Sequence, residues 1–167
     1  MLKTIVLIGM MGSGKTSVGK ELAKNLGLDF IDSDLEIEKK CKKTIPEIFK
    51  SKGENYFRKI EEKICCELID GNPKILSLGG GAFINSNIRK KISNNGVSIW
   101  ISTSLENIYN RLNKSKNKRP MLDYSNLKKS IKEIYDHRKS IYSKADITIK
   151  TKSNDTKLII KKVLDKL

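Results

Sequence analysis

The sequence predicts a single α/β domain, residues 1–167, built on a five-stranded parallel sheet flanked by helices. Three observations predict it. Short runs rich in Ile and Val alternate with amphipathic stretches from one end of the chain to the other. The first apolar run leads directly into a glycine-rich turn and then a helix. No linker or internal repeat divides the 167 residues, a length suited to one buried core.

Leu2–Ile8 is nearly all apolar, as expected of a strand buried on both faces. Ser13–Leu26 follows as a helix with Val18, Leu22 and Leu26 four apart, and Gly27 stands where a left-handed cap is wanted. Phe30–Ile31 is a brief second strand. Ser33 with Glu36, and Thr44 with Glu47, have the spacing of capping boxes and predict two helix starts. The next helix, about Glu54–Ile69, carries Phe57, Ile60, Ile64 and Leu68 on one face. Ile75–Leu78 is the third strand, and a helix follows near Ser86–Ser93. Val97–Ile101 is the fourth strand, and Leu105–Leu112 is helical. Leu127, Ile131, Ile134, Tyr135, Ile141 and Tyr142 mark a long amphipathic helix. Ile147–Ile149 is the fifth strand, Thr151–Asp155 a polar loop and Thr156–Leu167 the closing helix. Asn113–Ser125 is the one long irregular stretch. A loop of that length inside a compact domain is usually functional.

Composition excludes several classes. No apolar run reaches membrane-spanning length. The first apolar stretch, of about seven residues, meets a Gly-rich turn rather than a cleavage site, which argues against a leader. Cys41, Cys65 and Cys66 have neither CxxC nor zinc spacing, which fits reduced thiols in a cytoplasmic protein. The net charge of +15 comes from 34 Lys and Arg against 19 Asp and Glu. The lysines are scattered, with no basic arm and no base-stacking aromatic pattern, so most are expected on solvated surface rather than on nucleic acid.

The chemistry lies at the ends of the strands. Gly9-Met-Met-Gly12-Ser13-Gly14-Lys15-Thr16 satisfies GxxxxGK[ST], between a buried strand and a helix. Its amides are suited to cradle phosphates, its lysine to reach the β- and γ-phosphates, and its threonine to meet Mg²⁺. Asp32-Ser33-Asp34 closes the second strand. In a parallel sheet it opens on the same crevice, so one acid can serve the metal shell and the other an acceptor hydroxyl. N-capping accounts for one of these acids, but not for both. Gly79-Gly80-Gly81 ends the third strand, which implies a close approach of backbone to something else. That strand lacks a closing acid, so metal binding is expected to rest on Thr16 and Asp32, with Ser77 assisting through water. Arg58 with Glu61 and Glu62 has the spacing of a surface ion pair. Arg119 lies in the irregular loop and Arg138 on the long helix, next to His137, which reads as a bystander.

Together these residues resemble the shikimate kinase family. The resemblance runs from Lys3 to about Lys161 through GMMGSGKT, FIDSD, FRKIE, LSLGGGAF, RPML and HRKSIYSKAD, in that order. It implies a P-loop kinase that phosphorylates shikimate to shikimate 3-phosphate with Mg-ATP, a step of chorismate and aromatic amino acid biosynthesis. It implies ATP contacts from Gly12, Ser13, Gly14, Lys15, Thr16 and Ser17, with Arg119 on the phosphates and Arg111 against adenine. Mg²⁺ would be held by Thr16 and Asp32. Shikimate would be bound by Asp34, Arg58, Gly79, Gly80, Gly81 and Arg138, in a substrate region of about residues 33–62 walled by Phe49 and Phe57. Lys15, Asp34 and Arg119 would be catalytic, in a monomeric cytoplasmic enzyme with no nucleic-acid or membrane partner. The 113–125 stretch resembles the family's mobile lid. Two departures stand out: the 151–155 loop, which includes Ser153, lacks the proline expected of an adenine-contacting loop, and the lid is unusually Lys-rich. The competing readings are a kinase for gluconate or a nucleoside monophosphate, a basic nucleic-acid-binding protein, and an inactive scaffold.

Overall fold

The computed structural model describes residues 3–152 and 154–167. Leu2 of the first expected strand and Ser153 of the 151–155 loop lie outside the described residues. The elements run β1 (Thr4–Ile8), α1 (Lys15–Leu26), β2 (Phe30–Asp32), α2 (Ser33–Cys41), α3 (Ile45–Lys52), α4 (Glu54–Leu68) and β3 (Ile75–Ser77). They continue α5 (Ser86–Asn95), β4 (Gly96–Thr103), α6 (Leu105–Lys114), α7 (Leu127–Tyr142), β5 (Ile147–Thr151) and α8 (Thr156–Leu164). The five strands form one parallel sheet in the order β2-β3-β1-β4-β5.

Every residue of β1 is buried, as its unbroken apolar run implies. The pleat splits that run between two cores. Ile5 and Leu7 pack with Val18 and Leu22 of α1 and with Ile159, Ile160 and Val163 of α8. Val6 and Ile8 pack on the other face with Cys65 of α4, Ile88 of α5, Ile108 of α6 and Tyr142 of α7. A third, smaller core joins Ile37, Ile48, Phe57 and Ile64 of α2, α3 and α4.

The register sets the site. Leu7 lies level with Ser77, and Ser77 with Asp32, so β1, β3 and β2 end together and deliver residues 9–16, 79–81 and 32–34 to one crevice.

Several boundaries differ from expectation. Helix α1 begins at Lys15 rather than Ser13, because Gly14 is left-handed with φ 90°. Ser33 does not cap α2. Asp32 does, its Oδ1 accepting the N–H groups of Asp34 and Leu35. The capping box of Thr44 and Glu47 is present as read. Helix α6 runs on to Lys114, β4 and β5 extend to Thr103 and Thr151, and α8 stops at Leu164.

A short polar clasp fixes the start of β5. Asp146 Oδ2 accepts the Ser98 N–H at 2.7 Å and its hydroxyl at 2.6 Å, while Ser98 Oγ accepts the Asp146 N–H at 3.0 Å. Ser98 is buried. Asp146→Ala should therefore leave polar groups of Ser98 unpaired and lower unfolding stability by about 1–3 kcal/mol. Urea unfolding measures this, and an unchanged midpoint would show the clasp to be dispensable.

Candidate active site

The phosphate cradle is built by left-handed backbone at Gly12 (φ 73°) and Gly14 (φ 90°), conformations that other residues adopt at a cost. Lys15 is buried beneath it. Its Nζ donates to the carbonyls of Gly9 (2.9 Å) and Met10 (2.8 Å) and to Ser13 Oγ (3.4 Å). Removal from water lowers its pKa to about 8, against the opposing pull of Asp34 and Asp32. Arg111 lies against the loop, with Nη1 donating to the Gly12 carbonyl at 3.0 Å and Nη2 to Asn154 Oδ1 at 2.6 Å. Ser17 is exposed on the first turn of α1.

Asp32 has two functions. One oxygen caps α2, and the other, Oδ2, accepts the Thr16 hydroxyl at 3.1 Å. These hard oxygens beside the cradle suit a divalent cation that keeps most of its own waters and shares phosphate oxygens. No group of three or more His, Cys, Asp or Glu able to hold a metal occurs among the described residues. Asp34 is the second residue of α2, in its first turn. Burial raises its pKa to about 6, reinforced by Asp32 and Glu61 and opposed by Arg119 and Lys15.

The glycine run explains itself through its neighbours. A β-carbon on Gly79 would lie 2.5 Å from Asp34 Oδ1, and one on Gly81 2.5 Å from Arg58 Nη1. One on Gly80 would lie 3.3 Å from Arg138 Nη1 and 3.2 Å from the Met11 nitrogen. The close approach inferred from sequence is thus an approach by three charged side chains. Ser33 Oγ accepts the Gly79 N–H at 3.0 Å and ties the start of α2 to this strand end. The Tyr142 hydroxyl donates to the Gly80 carbonyl from α7.

Arg58 is not a surface charge. Its Nη1 donates to Glu61 Oε2 at 2.7 Å, and Glu61 is only 2 % exposed. Burial raises the Glu61 pKa, with Arg58 and then Arg138 opposing. Glu62 turns away and accepts from Asn85 and Asn87. Arg138 is buried at the cleft, and among the described residues its Nη1 has no hydrogen-bond partner. His137 is exposed.

These groups line one continuous cleft of about 1590 Å³. It runs from Arg111 and Asn154 past Lys15, Thr16 and Asp32 to Asp34, Arg58, Gly79, Gly80, Gly81 and Arg138. Phe49 and Phe57, 4.8 Å apart between ring centres, wall the far end. Arg119 overhangs the cleft from the irregular segment. That segment is shorter than expected, beginning at Ser115 after α6, and Leu122 roots it in the core.

Every site residue named from sequence lies on or beside this cleft. The sequence reading missed Glu61 and the hydroxyl of Ser33. Spacing made Glu61 a surface partner. The buried face of α4, set by Phe57, Ile64 and Cys65, is the signal that could have found it.

The sequence model of the family described as "Shikimate kinase" matches residues 11–167. A curated shikimate kinase of Persephonella marina is 40 % identical over 166 residues, 99 % of each chain. One of Rhizobium leguminosarum bv. trifolii is 40 % identical over 162 residues, 97 % of this chain and 82 % of the relative. The solved shikimate kinase from Acinetobacter baumannii in complex with shikimate superimposes with TM-score 0.94 and 36 % identity, over 99 % of this chain and 92 % of that one.

The cradle makes a direct prediction. Lys15→Ala removes a charge-assisted phosphate contact worth about 1.5–3 kcal/mol. Calorimetry should show ADP binding at least about tenfold weaker, with native circular dichroism. Native ADP affinity in this variant would show that Lys15 does not reach the phosphates.

Proposed function

The chain belongs to the shikimate kinase family, and from that premise we propose how its residues transfer the γ-phosphoryl group of ATP to a hydroxyl of shikimate. The observation that carries this reading is convergence in one cleft. A phosphate cradle, a carboxylate and two arginines face one another across a gap that a nucleotide and a small polyol acid can fill.

Shikimate's carboxylate is gripped by Arg58 and Arg138. Arg138 supports this with an unpartnered buried donor and Arg58 with an orientation fixed by Glu61. Asp34 accepts the proton of the attacking hydroxyl and orients it. The new bond joins that oxygen to the γ-phosphorus, the bond to the β,γ-bridging oxygen breaks, and ADP leaves. Lys15 exchanges the Gly9 and Met10 carbonyls for phosphate oxygens. Arg119 meets the transferred group from above, and Arg111 lies beside the base. The contacts of Arg111 with Gly12 and Asn154 support that role where the expected proline is missing. Thr16 and Asp32 would hold Mg²⁺, which when bound would neutralise phosphate charge. The segment after α6 closes over the cleft and excludes water, which would otherwise accept the phosphoryl group. We further infer a monomer working in the cytoplasm.

ADP release should depend on shikimate and remain at background with gluconate or nucleoside monophosphates. Equal rates with gluconate would replace this assignment by the competing one.

The two carboxylates should separate. Asp34→Asn keeps its shape but cannot take a proton. Turnover should fall by about 10²–10⁴-fold, with Mg-ADP affinity near native. Asp32→Asn should instead raise the Mg²⁺ concentration needed for half-maximal rate. Turnover of both variants across a Mg²⁺ titration decides this. Repair of the Asp34→Asn defect by added Mg²⁺ would reverse the roles.

A further inference from the structure

We propose that Tyr124 is a positioning residue for Arg119, its hydroxyl accepting the Arg119 backbone N–H at 2.9 Å and its ring carrying the Lys118 ammonium 3.9 Å from the ring centre. This rests on the reading that Arg119 meets the phosphates.

The structural problem is plain. Arg119 lies on an exposed segment between α6 and α7, where an arginine has many rotamers and a mobile backbone. A side chain that acts on a transferring group has to be delivered within a fraction of an ångström. Something must therefore fix the backbone that carries it.

Tyr124 does this from the cleft side. Its hydroxyl holds the Arg119 N–H, while the Arg119 carbonyl accepts the Leu122 N–H at 3.1 Å. Both backbone polar groups of Arg119 are thus engaged within one tight turn. Leu122 is buried in the large core, which roots the turn. Asp123 secures the base of Tyr124: its N–H donates to Ser130 Oγ of α7 at 3.1 Å, and its Oδ1 accepts the Ser125 N–H and hydroxyl at 2.9 and 2.6 Å. An unbroken set of contacts leads from α7 through Asp123 and Tyr124 to Arg119.

The cation on the ring serves the same end. Lys118 precedes Arg119, and stacking its ammonium on the Tyr124 face fixes a second point of the strap. It also keeps two adjacent positive charges apart, one on the ring and one free for phosphate. Lys118, Arg119 and Tyr124 all line the cleft. Arg119 is near enough to be felt electrostatically by both Lys15 and Asp34.

Steady-state kinetics test this on Tyr124→Phe, Tyr124→Leu, Arg119→Ala and the double variant Arg119→Ala/Tyr124→Phe, varying ATP and shikimate separately. Tyr124→Phe keeps the ring and loses only the acceptor oxygen. It should lower kcat/KM for ATP about three- to tenfold, the effect of one lost hydrogen bond. The KM for shikimate should stay within about twofold. Tyr124→Leu, which also removes the seat of Lys118, should lower it further. In the Arg119→Ala background Tyr124→Phe should have no added effect, because the group it positions is gone. A native Tyr124→Phe enzyme beside a crippled Arg119→Ala overturns the positioning role alone. Equal losses from Tyr124→Phe in both backgrounds, or a matching rise in the KM for shikimate, also overturn it, since either shows a general packing defect. Native turnover in Arg119→Ala overturns the phosphate role of Arg119, and the positioning role with it.

Discussion

Asp34 and Arg58 occupy the space that β-carbons would fill at residues 79 and 81, and at residue 80 the Met11 nitrogen and Arg138 press close. Two of the three clearances are 2.5 Å, shorter than any real contact of a methyl group. With alanine at residues 79 and 81, the Asp34 carboxylate and the guanidinium paired to Glu61 could not stay where they are. The bare strand end also leaves its backbone groups free, and the protein uses them. The Gly79 N–H goes to Ser33 and the Gly80 carbonyl accepts from Tyr142. Helices α2 and α7 are thereby drawn to the same strand end from two sides. The conformational entropy that glycine adds to the unfolded chain is the cost of this arrangement.

The charges gathered there are only partly compensated by one another. Burial pushes Lys15 down to about 8 and Asp34 up to about 6, so each is driven toward its neutral form. Glu61 offsets Arg58, but among the described residues Arg138 Nη1 has no partner. A site that leaves such groups partly unsatisfied gains when an anion arrives. An anion near Lys15 stabilises its charged form, and an anion near Arg138 offers its Nη1 an acceptor. The same physics explains why Lys15 leans on main-chain carbonyls in the free protein. These bonds keep a buried ammonium solvated while leaving it replaceable partners.

The fold and the cradle were legible because their signals are local. An Ile- and Val-rich run, a glycine turn and a helix occupy adjacent residues, and so do Thr44 and Glu47 of the capping box. Other features were not, because they depend on tertiary placement. Glu61 has the same spacing from Arg58 as a solvent-exposed partner, and only the docking of α4 on the sheet buries it. Ser33 looked like a cap because it sits beside a helix start. The cap fell to Asp32, whose second oxygen is free for Thr16, and Ser33 turned to Gly79 across 46 residues of sequence. Polarity made residues 113–125 read as a loose loop. Its buried root at Leu122 and the contacts of Tyr124 come from residues that look isolated in a Lys-rich stretch.

Helix α4 sets the distance between the two halves of the site. Its Cys65 packs in the large core against the sheet, while Phe57 and Ile64 face α2 and α3 in the small one. Arg58 and Glu61 lie at the end that faces the small core. Their position relative to the cradle is therefore set by a helix anchored in the sheet, not by a loop. The link from Ser33 to Gly79 adds a second fixed point on α2. Arg58, Glu61 and Asp34 are thus held by regular structure on one side of the cleft, and Lys15 and Thr16 by α1 on the other. Arg119, by contrast, comes from irregular chain between α6 and α7. This division suits phosphoryl transfer. The reacting groups need a preorganised frame, while admission of substrates needs one wall that can move.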